Sequence, residues 1–111
     1  MANTFKNAAL ADVSTSGTYD TLYTAPGSTT TIVLGLAIAN KLDASVDVSV
    51  RYTDNSAGTT HQLLDEVSIP GKTTLETLAG QKYILETADS LSVTSSTASA
   101  IDVVMGLMEI T

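Results

Sequence analysis

Between residues 45 and 53, Val46, Val48, Val50 and Tyr52 alternate with Asp47, Ser49 and Arg51. A period of two describes a strand with one buried and one wetted face. The stretch before it, residues 31–40, sets Ile32, Leu34, Leu36 and Ile38 on one face and Val33, Gly35, Ala37 and Ala39 on the other. The large side chains are expected in the core. The small ones imply that another sheet, segment or subunit comes close, or else Gly35 marks a bulge. Asn40, Lys41, Leu42 and Asp43 are expected to join the two strands as a hairpin loop.

Further strands are predicted at 21–25, 59–69, 73–78, 82–86, 90–94 and 100–110. Turn residues punctuate them at 25–28, 54–58, 70–71, 79–80, 88–89 and 95–99. Residues 73–80 carry a second pattern, a capping box from Thr73 to Glu76 and a two-turn helix closed by Gly80. Short strands at a spacing of about 8–12 residues predict an all-β domain, a single antiparallel β-sandwich or jelly-roll-like unit.

The last strand is apolar on both faces, with Ile101, Val103, Met105 and Leu107 on one and Val104, Gly106, Met108 and Ile110 on the other. A strand in a lone sandwich is wet outside, so either the N-terminal segment or another subunit should cover one face. Residues 1–12 are read as a short extended N-terminal arm on the sandwich domain that occupies residues 1–111. Phe5, Leu10, Val104, Met108 and Ile110 are the candidate oligomer interface.

Composition narrows the function. The 111 residues suit one domain, 43% are apolar, and Ser and Thr make up about a quarter. Twelve acidic against five basic side chains leave a net charge of −7, and Lys6, Lys41, Arg51, Lys72 and Lys82 are scattered singly. Nucleic acid and anionic membranes are poor partners for such a chain. The apolar run 32–39 is less than half the roughly 20 residues that a membrane helix needs. No leader is readable at the start, so synthesis in the cytoplasm is expected. Without cysteine, thiol chemistry and thiolate metal sites are excluded.

Candidate chemistry is thin. Gly71, Lys72 and Thr73 resemble the end of a phosphate loop, but Glu66 stands where its first glycine belongs, and Pro70-Gly71 reads as a turn. Asp54 opens a calcium-like loop with Asp65 at its twelfth position, yet the sixth position is Thr59. His61 is the single histidine, in a polar stretch, with no marked serine nucleophile. Asp65, Glu66, Asp102 and Glu109 are the carboxylates available for glycoside hydrolysis, but strand neighbours Asp65 and Glu66 should point to opposite faces. No enzyme, cofactor or metal site is expected.

The opening Met1-Ala2-Asn3-Thr4-Phe5-Lys6-Asn7-Ala8, Leu22-Tyr23-Thr24-Ala25-Pro26 leading into Thr30-Thr31-Ile32-Val33-Leu34-Gly35-Leu36, the stretch Gly80-Gln81-Lys82-Tyr83-Ile84-Leu85-Glu86-Thr87-Ala88-Asp89-Ser90-Leu91, and the closing Met108-Glu109-Ile110-Thr111 carry a resemblance. Together they resemble small virion structural proteins of tailed bacteriophages, especially those of cyanobacteria and other marine hosts. The resemblance implies a β-sandwich that assembles with copies of itself, as a homotrimer, on the particle, and no catalytic residues. A capsid decoration or cement protein on the capsid surface, bound to the major capsid protein, fits the compact acidic domain. A neck, tail or fibre-base adaptor using loops 54–58 and 95–99 as contact tips is the alternative. A carbohydrate-binding module built on Tyr52 and Tyr83 is a third reading, resting on fold analogy.

Overall fold

Among the described residues the alternating segments form nine strands: β1 (Asn3–Leu10), β2 (Asp20–Thr24), β3 (Thr30–Asn40), β4 (Val46–Asp54), β5 (Thr59–Ile69), β6 (Thr74–Glu76), β7 (Tyr83–Leu85), β8 (Ser90–Ser95) and β9 (Ile101–Ile110). They come from a computed structural model that describes residues 2–15, 18–77 and 82–111. The strands pair antiparallel as nested couples, β4 with β5, β3 with β6 and β7, β2 with β8, and β1 with β9. The chain is thus a long ribbon doubled back between β4 and β5, with alternate couples assigned to different sheets. Pairing of β3 with β9 and of β4 with β8 closes the roll. The first sheet has the order β1-β9-β3-β6, with β7 also on β3, and the second the order β2-β8-β4-β5. This is an all-β sandwich with jelly-roll order, as the spacing of short strands predicts.

Aliphatic side chains fill the space between the sheets. Val46, Val48 and Val50 of β4 meet Leu91 and Val93 of β8 on one side, and Ile101, Val103, Met105 and Leu107 of β9 with Leu36 and Ile38 of β3 on the other. All are at most 2% exposed.

Two expectations are corrected. Asn40, Lys41, Leu42 and Asp43 do not make a hairpin, because β3 and β4 lie in different sheets and the loop crosses between them. Asn40 steers that crossing: its buried side chain donates to the carbonyls of Ala44 (2.9 Å) and Ile69 (3.0 Å) and accepts from Leu42 N–H (3.0 Å). In β3 the register shifts between Val33 and Gly35, so the bulge reading of Gly35 is the right one. It reverses the facing of the strand's first half. Thr31 and Val33 are buried and Leu34 is 39% exposed, whereas Leu36 and Ile38 face the core as expected. Of the two patterns over 73–80 the strand is the one formed, as β6, whose residues pair with Ala37, Ile38 and Ala39. Leu78 and the 79–80 turn, with Gly80 as a helix end, lie outside the described residues.

Polar side chains fasten the corners. Asp89, fully buried, accepts from Tyr52 O–H (3.0 Å), Asn55 N–H (2.9 Å) and Glu86 N–H (2.9 Å), and so ties the turn before β8 to the end of β4. Lys41 bridges Asp12 and Asp102 (2.9 Å to the latter), where Asp12 takes a positive φ of 55° between β1 and buried Val13. The Pro70-Gly71 turn packs against the loop from β3, and a Cβ on Gly71 would overlap the Asp43 carbonyl. Lys72, rather than cradling a phosphate, donates from Nζ to the Lys41 carbonyl (2.6 Å).

Two stability predictions follow from these corners. Asp89→Ala strands three donors and should lower unfolding free energy by about 3 kcal/mol, read by urea denaturation. Gly71→Ala should cost about 1–3 kcal/mol through overpacking in the same assay, with the fold retained.

Candidate assembly surface

The two outer faces of the sandwich differ in chemistry. On the second sheet, Ser49, Arg51 and Thr53 of β4 lie beside Thr94, Ser92 and Ser90 of β8 on the side away from the core, a polar side on which Ser49, Ser92 and Thr94 are at most 7% exposed and Arg51 lies over the Tyr19 ring. On the first sheet the register sets Phe5 of β1 opposite Met108 of β9, Met108 opposite Ile32 of β3, and Ile32 opposite Ile84 of β7. Directly opposed residues share a face. Four apolar side chains therefore form one row across the whole sheet. Asn7, Gly106 and Gly35 form a second row beside it, and Ala9, Val104 and Ala37 a third. Phe5 is 73% exposed, Val104 54% and Ile84 52%.

The two-sided strand is thus open to solvent on its outer side within one chain. The N-terminal segment does not lie over that face, as one of the two expectations had it. β1 instead pairs edge to edge with β9 along eight unbroken positions, Asn3 opposite Ile110 through Leu10 opposite Val103. Of the five candidate interface residues, Phe5, Val104, Met108 and Ile110 share the outer face. Leu10 turns inward, and with Ala8 it packs against the core. Reading the sequence alone missed Ile32, Leu34 and Ile84. The Gly35 bulge hides the first two, and β7 is too short to show a period.

A cavity of about 150 Å³ opens where the edges of the two sheets gape beside β7 and β5, lined by Tyr52, Leu63, Tyr83, Ile84, Leu85 and Leu91. It brings together the two tyrosines considered for sugar stacking, but Tyr52 donates its hydroxyl to Asp89, and its ring stacks on exposed His61 at 6.0 Å. A polar hollow of about 160 Å³ lies on the other sheet, lined by Tyr19, Asp47, Ser49, Asp65, Glu66, Thr94, Ser95 and Ser96. Asp65 and Glu66 both line it, against the alternation argument. A register shift interrupts β5 there, and Glu66 takes a positive φ of 51°. Asp102 and Glu109 are elsewhere, near opposite ends of β9 and each held by a lysine. Among the described residues no group of three or more His, Asp or Glu is arranged for a metal, and the Asp54 carboxylate bonds Ser56 and Ala57 of its own turn. Loops 54–58 and 95–99 sit at opposite ends of the β4–β8 pair, as two separate tips. Among the described residues there is also no helix long and apolar enough to cross a membrane.

One ion pair fastens β1 beneath the apolar face. Glu109, 6% exposed, accepts from Lys6 of β1 (2.8 Å) and from the hydroxyl of Tyr23 on the second sheet, which also bonds Thr31 of β3 (2.8 Å). The Lys6 ammonium, with the Tyr23 hydroxyl second, holds the Glu109 carboxyl below its ordinary 4.5. Burial, reinforced by Glu109, pushes Tyr23 up to about 12.

No protein-family model matches the sequence, and no curated protein does. Solved structures do resemble the fold. A chain from Bacillus endospore appendages, described as a family of disulfide-linked pili, superposes with a TM-score of 0.55 at 12% identity, covering 98% of this chain and 88% of that one. Two others are of infectious bursal disease virus. The Gx strain gives a TM-score of 0.46 at 9% identity over 98% of this chain and 37% of that one. The VP2 subviral particle gives 0.44 at 11% identity over 96% and 32%. The pilus likeness shows a shared sandwich fold. This chain, without cysteine, has no means of forming the disulfide links named for that pilus.

The Glu109 link has a pH signature. A carboxyl whose folded pKa is depressed contributes stability above its unfolded pKa and loses it as pH falls through the folded value. Melting temperature should therefore decline below about pH 4.5, where Lys41 holds Asp102 low in the same direction. Glu109→Gln should melt lower at pH 7 and show a shallower decline between pH 4.5 and 3; an unchanged profile would remove Glu109 from the account.

Proposed function

We propose that this chain is a virion structural protein of a tailed phage, a capsid decoration or cement protein that binds the major capsid protein and braces the shell as a homotrimer. The observation that carries the reading is the apolar outer face of the first sheet on a chain of net charge −7. Ten residues of β9 and four strands across give that face roughly 34 by 19 Å, or about 650 Å². A stable interface buries about 800 Å² per partner, so the face is nearly large enough by itself. Its chemistry suits lasting contact: Val104, Met108, Ile110 and Phe5 are apolar, and Gly106, Gly35, Ala37 and Ala9 leave room for close approach. The resemblance of the chain's opening, middle and closing segments to small phage virion proteins supports the same reading. Bracing a shell needs affinity in many copies and no catalysis.

Two measurements test this. Mass spectrometry of particles purified from the phage that carries the protein should give a copy number near or not far below that of the shell protein. A count matching one ring would move the protein to the neck, tail or fibre base, and absence from the particle would end both readings. Val104→Asp and Met108→Asp should each leave a folded monomer in native mass spectrometry, and retention of the parent assembly would exclude this face as the interface.

A further inference from the structure

Phe5 and the cavity beside Tyr83 lie on opposite edges of the same sheet. Phe5 projects from β1 at one edge; it is the chain's single phenylalanine and, among the described residues, the most exposed large apolar side chain. The cavity opens beside β7 at the other edge. Three strand spacings, about 14 Å, separate them, so no copy can fill its own cavity with its own ring. Across that distance the Phe5, Met108, Ile32 and Ile84 row is continuous apolar surface, and Ile84 both ends the row and lines the cavity.

Size also matches. A closed apolar cavity of about 150 Å³ takes up benzene, and this one has the same volume and a lining of leucines, isoleucine and tyrosine rings. The edges differ in backbone. β5, which borders the cavity, carries register shifts and the Asp65-Glu66 pair, devices that keep a strand edge from pairing with another chain. β1 has no such interruption.

We propose that the Phe5 ring of one copy seats in the Tyr52–Leu63–Tyr83–Leu85 cavity of the next, so that copies associate head to tail. This rests on the self-assembly reading above and specifies its contact. A head-to-tail contact uses different patches on the two partners and propagates until a ring closes. A rotation of about 120° per copy closes it at three, as a trimer requires.

Analytical ultracentrifugation and native mass spectrometry of the full chain over a concentration series test the contact. Phe5→Ala removes the knob, and Leu63→Trp fills the socket. Ile84→Lys blocks the socket's rim at a half-exposed position and serves if the tryptophan disturbs folding. Each variant alone should need at least about 30-fold more protein to assemble than the parent. A mixture of Phe5→Ala with either socket variant retains one intact knob and one intact socket and should give 1:1 pairs that grow no further. If the parent assembles and the variants match it, or the socket variants do while Phe5→Ala does not, the knob-and-socket contact is wrong and self-assembly stands. A mixture that stays monomeric overturns it too. A parent that is monomeric throughout overturns both.

Discussion

Strand β9 is hydrogen-bonded along nearly its full length on both sides, to β1 and to β3, and the rest of the sandwich is arranged around that double pairing. One side of β9 supplies Ile101, Val103, Met105 and Leu107 to the core, which fixes the register of β3 and sets where the second sheet must lie. A one-residue slip would turn every one of those side chains outward. Because β9 is the last strand of the ribbon, that register brings the two ends of the chain together, and Ala2 and Thr111 exchange backbone hydrogen bonds.

The core between the sheets is aliphatic, and two tyrosines at its margins have their hydroxyls bonded to buried carboxylates. Tyr23 reaches from β2 to Glu109 and Thr31 on the facing sheet, and Tyr52 reaches from β4 to Asp89. The first of these links the two sheets and the second ties β4 to the turn that enters β8 of its own sheet. The directional bond of Tyr23 to buried Glu109 resists sliding of one sheet over the other, which apolar contact alone opposes weakly because it has no preferred direction.

Most strands were legible because the sequence reports burial by alternation. Val46 to Tyr52 repeats with period two, and the 59–69 segment is bounded by turn residues on both sides. Three features were not legible, each for a physical reason. The bulge at Gly35 inverts facing with one inserted residue, and a glycine in a strand is equally consistent with close packing. The Asp65-Glu66 bulge depends on a left-handed Glu66, which nothing in its side chain announces. The crossover after Asn40 looks like a hairpin because the carbonyls that Asn40 binds, Ile69 and Pro70, come from far along the chain. The outer face was half visible: β9 showed its apolar side openly, while its continuation through Ile32 to Ile84 depends on pairings between strands that sequence alone does not specify.

The contrast between the two outer faces has a colloidal consequence. A copy held through its first sheet turns its second sheet to the solvent, and that side carries the exposed carboxylates Asp47, Asp65 and Glu66 around a polar hollow. Any larger body coated by such copies exchanges its own surface for a hydrated, negatively charged one. Coated bodies then repel one another at low ionic strength and lose that repulsion as salt shortens the screening length to about 10 Å at 0.1 M. Dispersal of the coated object is thereby governed by the face that takes no part in attachment.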